Sequence, residues 1–429
     1  MKLLCLSNGH GEDTIALRIL QALQQRPSCP DIAALPIVGE GHVYTAHDIP
    51  IAGSVRAMPS GGFVYMDGRQ LLRDLQGGLL RLTQTQLQTV RAWAKAGAFI
   101  LAVGDIVPLL FAWSSGASYA FVGTAKSEYY LRDEKGLLPR RSWFERLESW
   151  SGSVYLPWER WLMQHPRCRA VFPRDRLTAL ILKRWAIPTF DVGNPMMDGL
   201  DPVGLDFGLN VDTSAETRID SRSLTFVLLP GSRSPEAYEN WQLILQAVAT
   251  LVPVFQWQKL VFLAALAPSL DLAQFQQAAT AFGWRSSGAS SSHPYQTLSQ
   301  LHARLLLVPS GFNDCLHQAD FAIAMAGTAT EQFVGLGKPA FILSGRGPQF
   351  TPAFAEAQTR LLGTSVTLVN SPAEIVPAVQ TLLQTPDRLQ LIAANGRNRM
   401  GTSGAADRIA DSLITLLNTG NSCIKKNIN

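Results

Sequence analysis

Cysteine is scarce and unpaired. The 429 residues hold five (Cys5, Cys29, Cys168, Cys315, Cys423), none at a spacing that suits a zinc ribbon or a disulfide framework, so reduced thiols without cysteine chemistry are expected. Long apolar runs are missing as well. The longest, Phe99 to Trp113, is fifteen residues and contains Asp105, too short and too polar to span a bilayer. The amino terminus, MKLLCLSNGHGED, has an apolar stretch of four residues, which is no secretory signal, so a cytoplasmic protein is expected. Charged residues make up only 16%, and the net charge of +4 does not indicate a nucleic-acid partner. No Asp-x-Asp pair occurs, which removes the usual carboxylate anchor for Mg²⁺ or Mn²⁺. His42 and His47 lie in GEGHVYTAHDIP, whose Gly and Pro mark a loop rather than a metal-binding helix. Neither a metal nor a cofactor is expected.

Hydrophobic residues are plentiful, at 47%, and the length exceeds what one core usually holds, so two domains are expected. Strand-like and helix-like segments alternate, the pattern of parallel sheets with crossover helices, giving an α/β class. In the first half the strands read Lys2 to Ser7, Ile32 to Val38, Phe99 to Val103, Tyr119 to Val122, Ala170 to Phe172 and Thr189 to Val192. Helices read Asp13 to Gln25, Gln70 to Leu80, Gln84 to Ala96 and Arg174 to Trp185. Residues 199–223, rich in Gly, Asp and Ser with little periodicity, read as a linker. The second half restarts with strand Leu224 to Leu229, followed by strands Leu260 to Ala264, Leu305 to Val308, Phe321 to Met325 and Ala340 to Leu343, with helices at Glu236 to Leu251 and Leu270 to Phe282. The domains are therefore 1–198 and 224–402, with 403–429 a last helix and tail, the helix Ala405 to Leu417 a candidate to return to the first domain. Two doubly wound, Rossmann-like domains facing each other across a cleft are expected.

Two segments of the second half carry the strongest chemical signal. LLPGSR, Leu228 to Arg233, and AMAGTATEQFVGLGKPAFIL, from Ala324, are apolar runs ending in a glycine turn that opens a helix. Each aims backbone N–H groups and the positive end of a helix at one point, as a diphosphate requires. Gly231 begins the first turn; Ser232 adds a hydroxyl, and Arg233 a guanidinium able to grip phosphate oxygens in two-pronged fashion. Gly327, Thr328, Ala329 and Thr330 let a ligand approach the backbone, and Glu331 or Gln332 can accept hydrogen bonds from a ribose. SGRGPQF, Ser344 to Phe350, follows another strand end; Gln349 is a candidate for sugar hydroxyls and Arg346 for a second diphosphate contact. These turns supply charge stabilisation for a leaving diphosphate without a metal.

With GHGED, GDIVPL at Gly104, FPRD, VGNPMMD from Val192, LLPGSR with Glu236, GTATEQ and RMGTSGAADRIA in this order, most of the chain resembles the GT-B glycosyltransferases. Within them it is similar to lipid-A-disaccharide synthase and its cyanobacterial and plastid relatives. The resemblance implies inverting transfer of a sugar from a UDP-sugar to a sugar or lipid acceptor, the donor lying against the C-terminal domain. It also places Gly9, Gly11 and Asn194 on the acceptor side. The chain departs from the pattern at Asn194, where the synthase has histidine, and at Gln332, on the position of its ribose-binding glutamate.

Such a transfer needs a base for the acceptor proton. His10, in the first glycine turn, and Asp105, in an otherwise apolar run, are the candidates; Glu12 and Asp13 read as helix-starting acids. Residues 126–184 hold thirteen Lys and Arg against seven Asp and Glu, and Trp143, Trp150, Trp158 and Trp161 fall within nineteen residues of this segment. Basic side chains beside amphipathic rings suit a membrane surface, where a lipid or lipid-linked acceptor would dock; the competing reading makes these rings core. The expectation is a metal-independent UDP-sugar glycosyltransferase, peripheral to the inner face of a membrane. A UDP-sugar 2-epimerase and a non-catalytic nucleotide-sugar-binding protein are the alternatives.

Overall fold

The computed structural model describes residues 1–56, 79–139, 146, 150–209, 223–286, 294–345, 347 and 350–426. The chain divides into two compact units, Met1–Asp198 with Thr402–Asn429, and Gly199–Gly401.

Unit 1 is built on strands β1 (Lys2–Ser7), β2 (Asp31–Pro36), β3 (Ala98–Gly104), β4 (Tyr119–Gly123) and β7 (Cys168–Pro173), with β5 (Arg132–Asp133) and β6 (Gly136–Leu137) forming a separate hairpin. The five long strands are parallel in the order β2-β1-β3-β4-β7. Because side chains alternate along a strand, Leu3 and Cys5 of β1 enter one core and Leu4 and Leu6 the other. Burial on both faces accounts for the continuous apolar runs seen in the sequence. The helix Ala405–Lys426 shares the first of these cores: Ile409, Ala410 and Leu413 pack with Ile15, Ile19 and Leu20 of the helix His10–Gln24. Its start is held by the Asp198 carboxylate, which accepts from the amides of Gly404 (2.5 Å) and Ala406 (2.7 Å). An acid at that end also complements the helix dipole.

Some expectations shift. The first helix begins at His10 rather than Asp13, so the turn after β1 is only Asn8 and Gly9. His42–Thr45 is one helical turn, not loop. The expected strand at Thr189 to Val192 is reduced to a single bridge between Thr189 and Val171, because the chain turns away through Gly193, whose φ is 86°. The expected helix Gln84 to Ala96 is part of the longer helix Leu79–Lys95, which ends one residue sooner, and the expected helix Gln70 to Leu80 falls mostly outside the described residues.

Unit 2 comprises β8 (Leu224–Leu229), β9 (Leu260–Ala265), β10 (Arg285–Ser286), β11 (Gln296–Gln300), β12 (Ala303–Val308), β13 (Phe321–Ala324), β14 (Ala340–Leu343) and β15 (Val366–Val369), in the order β10-β11-β12-β9-β8-β13-β14-β15. Counting only its parallel strands, the order is 3-2-1-4-5-6, with β10 and β11 an antiparallel edge. Four phenylalanines cross the middle of the sheet: Phe262, Phe226, Phe321 and Phe341, with successive ring centroids 5.5, 5.4 and 6.0 Å apart. Each such pair contributes about 0.5–1.5 kcal/mol beyond its buried area.

The segment read as a linker is only partly one. Residues 199–209 are fastened to unit 2: buried Asp314 accepts from the amides of Gly204 (2.8 Å) and Leu205 (3.0 Å), and Asn313 donates to the carbonyls of Gly199 and Asp201. Residues 210–222 lie outside the described residues.

Each sheet has one place where the strand order reverses. In unit 1 it is between β1 and β3, and in unit 2 between β8 and β13. Open α/β sheets bind ligands outside the carboxyl ends of their strands at such points. Among the described residues no helix is long and apolar enough to cross a membrane.

Candidate functional site

At the reversal in unit 2 the turns after β8 and β13 are joined by one side chain. Asn240, 3% exposed in the helix Glu236–Val254, donates from Nδ2 to the carbonyls of Pro230 (3.0 Å) and Met325 (3.4 Å). Gly231, at φ 101°, follows at once in a conformation that disfavours any side chain. The helix Thr328–Gly335 starts at Gly327 with no side-chain cap, so no capping side chain takes its first amides. Thr328 is exposed and Ala329 half-buried, whereas the Thr330 hydroxyl is spent on the Ala326 carbonyl. Ser232 is exposed and Arg233 half-buried beside the first turn.

The first turn differs from the expectation. Its helix starts only at Glu236, after Ser234 and Pro235, and the helix end already carries an acid. The Glu236 carboxylate, 6% exposed, accepts from the Phe350 amide at 2.7 Å. That bond ties the loop after β14 to the same place, and a Cβ on Gly347 would lie 2.5 Å from the Glu236 carboxyl carbon. Three strand-end loops therefore converge through Asn240 and Glu236. Glu331 and Gln332 are largely buried, at 6% and 7% exposure, so the helix offers less of them to a ribose than their positions in the sequence suggest. Arg346 and Gln349 lie outside the described residues.

At the reversal in unit 1 the chemistry is acidic. Asp105 caps the helix Ile106–Ser114, accepting from Val107 N at 2.8 Å, and Asn8 Nδ2 lies 3.4 Å from both its oxygens. Asp13 is buried, accepting from the Ser7 hydroxyl at 2.6 Å, with the Tyr44 hydroxyl 2.6 Å from the same Ser7 oxygen. Glu12 is the residue that the sequence reading passed over as a helix-starting acid. Its stem lies against Gly104, where a Cβ would stand 3.3 Å from Glu12 Cγ, and its carboxylate accepts from Thr124 at 3.4 Å. Burial, then the neighbouring Asp105 and Asp13 charges, push the Glu12 carboxyl up to about 8. Burial also raises Asp105, opposed by its Val107 and Asn8 hydrogen bonds. A carboxyl titrating near neutrality is the acid–base instrument that proton transfer requires.

The remaining candidates are dispersed. Gly9, at φ 123°, caps the helix His10–Gln24, and Gly11 is exposed with open space around it. His10 opens that helix; its side chain lies outside the described residues. Asn194 is away from this turn, beside the middle of the same helix, where Arg18 donates to the carbonyls of Pro195 and Met196. Its Oδ1 accepts from Met196 N, and its buried Nδ2 has no partner among the described residues. Burial raises the thiols of Cys5, Cys168 and Cys315. Among the described residues no three His, Cys, Asp or Glu are grouped to hold a metal ion. Of the four tryptophans, Trp143 lies outside the described residues. The other three are surface groups and not core: Trp150 is 82% exposed, and Trp158 and Trp161 are each 54% exposed.

No family model matches the sequence, and no curated protein matches it. Solved structures do match in fold. A putative UDP-N-acetylglucosamine 2-epimerase from Listeria monocytogenes aligns over 97% of each chain at 14% identity, with a TM-score of 0.56. The UDP-GlcNAc 2-epimerase of Neisseria meningitidis, solved with UDP-GlcNAc, aligns over 97% of this chain and 100% of its own at 15% identity and 0.54. MurG of Acinetobacter baumannii aligns over 96% and 99% at 14% identity and 0.52. The shared fold is GT-B, with two Rossmann-like domains. At these identities the likeness reaches the fold only, and the narrower similarity to lipid-A-disaccharide synthase rests on the sequence motifs.

Glu12 yields a prediction about stability and pH. Its carboxyl holds a proton more tightly in the folded protein than in the unfolded chain, so the folded state binds more protons between the ordinary value of 4.5 and about 8. Stability should fall as pH rises through that window, and Glu12→Gln should flatten the fall. Thermal melts from pH 5 to 8.5 check this; the same slope in wild type and variant would refute it.

Proposed function

We propose that the protein is a UDP-sugar enzyme, a metal-independent inverting glycosyltransferase acting on a lipid or lipid-linked acceptor. The observation that carries the nucleotide part is the fastening of two glycine turns by Asn240 at the reversal of the unit 2 sheet, beside an uncapped helix start. A diphosphate there meets backbone amides and the positive end of a helix, with Ser232 and Arg233 alongside. The proteins that share this fold include two described as UDP-GlcNAc 2-epimerases, which supports a nucleotide sugar as ligand.

In the proposed reaction the acceptor hydroxyl oxygen forms a bond to the anomeric carbon. The bond from that carbon to the diphosphate oxygen breaks, and its electron pair leaves with UDP. The acceptor proton needs a base, and Glu12, its carboxyl pushed up to about 8, has the chemistry to serve as one. Asp105, held by Val107 and Asn8, lies beside it. Charge on the departing diphosphate is met by the unit 2 amides and Arg233 in place of a divalent cation.

A second reading has its own observation. Three carboxyl groups, Glu12, Asp13 and Asp105, gather at the unit 1 reversal, as an epimerase that removes and returns a sugar proton would need. Incubation with UDP-GlcNAc in EDTA decides between the readings. A transferase releases UDP only when an acceptor is present; an epimerase forms a second UDP-sugar without one. Loss of turnover in EDTA, restored by Mg²⁺ or Mn²⁺, would overturn the metal-independent mechanism. Arg233→Ala should weaken UDP binding about tenfold or more, the loss of one charge-assisted hydrogen bond of roughly 1.5–3 kcal/mol. Unchanged UDP affinity in the folded variant would remove Arg233 from the site.

The lipid acceptor rests on the exposed tryptophans. Trp158 and Trp161 lie on the outer side of the helix Pro157–Gln164, whose Leu162 and Met163 face the core. Gln164 donates to the Trp185 carbonyl, which brings the exposed Lys183 and Arg184 to that end of the helix. Rings at headgroup level beside cations suit an anionic lipid surface. Vesicles containing phosphatidylserine should sediment the protein at low salt and release it at high salt, and replacing Trp158 and Trp161 together by Ser should abolish the binding. A wild-type protein that stays in the supernatant at low salt would point to a soluble acceptor.

A further inference from the structure

The helix Pro352–Leu362 is fastened to the Gly327 turn at two points. Gln358, 1% exposed, donates from Nε2 to the Gly327 carbonyl at 3.1 Å, and its buried Oε1 accepts from no group among the described residues. One turn earlier, Phe354 stands over the same glycine: a Cβ on Gly327 would be 3.2 Å from Phe354 Cζ. Two contacts position the residue. Its backbone amide is capped by Thr351 Oγ1 at 3.1 Å, and its edge meets Phe350 at a centroid separation of 5.4 Å. Phe350 is buried and held in turn by Glu236. Yet Phe354 is 37% exposed, a fixed aromatic surface beside the uncapped start of the helix Thr328–Gly335. The core gains little from a ring left in that position.

We propose that Phe354 determines donor specificity, its ring stacking on the apolar C–H face of the pyranose of a bound nucleotide sugar. The inference rests on the nucleotide-sugar reading of this turn. Phosphate oxygens take the helix amides, and the group beyond the diphosphate meets a flat apolar surface, which suits a hexopyranose with equatorial substituents. No charge or bond is exchanged with the ring. Phe354 therefore contributes to holding the sugar and not to holding UDP.

The test compares UDP with UDP-GlcNAc by calorimetry on the full chain, wild type against Phe354→Ala and Phe354→Tyr. The expected result is a loss of up to about tenfold in UDP-GlcNAc affinity for Phe354→Ala, with UDP affinity unchanged and Phe354→Tyr close to wild type. Equal weakening of both ligands would show that the ring serves the nucleotide and would overturn the proposal, as would two unchanged affinities. A wild-type protein that binds UDP but gains nothing from the sugar would also overturn it, leaving the diphosphate site intact. A wild type that binds neither ligand would remove the nucleotide-sugar reading and this inference with it.

Discussion

The carboxamide of Asn240 is the constraint on which the unit 2 site depends. Two carbonyls just past the ends of adjacent parallel strands, Pro230 and Met325, accept from this one donor group. A buried acceptor without a partner costs about 1–3 kcal/mol, so one buried amide that serves both stabilises the fold and fixes the spacing of the turns. Glu236, one helical turn before Asn240, extends the same logic to the loop after β14. The three loops are therefore organised by two buried side chains, Asn240 and Glu236.

The two sheets divide the chemistry by topology. In unit 2 the reversal between β8 and β13 is lined by glycine turns, an arginine and a helix start, all suited to negative charge. In unit 1 the reversal between β1 and β3 is lined by the carboxyl groups of Glu12, Asp13 and Asp105. A carboxyl raised towards neutrality by burial and by its acidic neighbours is stable in that place because Gly104 leaves room for its stem. Under the proposed function, phosphate binding and proton transfer fall to different units, each matched by the charge of its strand ends.

Much of this is legible in the sequence, for identifiable reasons. Parallel strands buried on both faces appear as unbroken apolar runs, which is why β1, β3, β8, β9 and β13 stand out. The glycine turns follow those runs directly, so Gly231 and Gly327 could be placed by number. What stayed hidden depends on contacts distant in sequence. Glu12 reads as an ordinary first-turn acid; its burial is set by Gly104 and Thr124, about a hundred residues later. Residues 199–209 have the composition of a linker, but Asp314 gives their amides a partner. The strand β11 is polar at most positions because it lies near the sheet edge, and Thr189 pairs only once before Gly193 turns the chain. Asn240 carries no motif at all; its role appears only when Pro230 and Met325 are brought side by side.

The most direct test of this account is the affinity of UDP for Asn240→Asp, measured calorimetrically in a variant shown to be folded by circular dichroism. Aspartate keeps the size and shape of the side chain but sets an acceptor against the carbonyls of Pro230 and Met325. If those turns form one diphosphate site held by the amide, UDP affinity falls at least about tenfold, the equivalent of 1.4 kcal/mol. Wild-type affinity in the folded variant would contradict the account, because the two turns would then bind independently of the group that joins them.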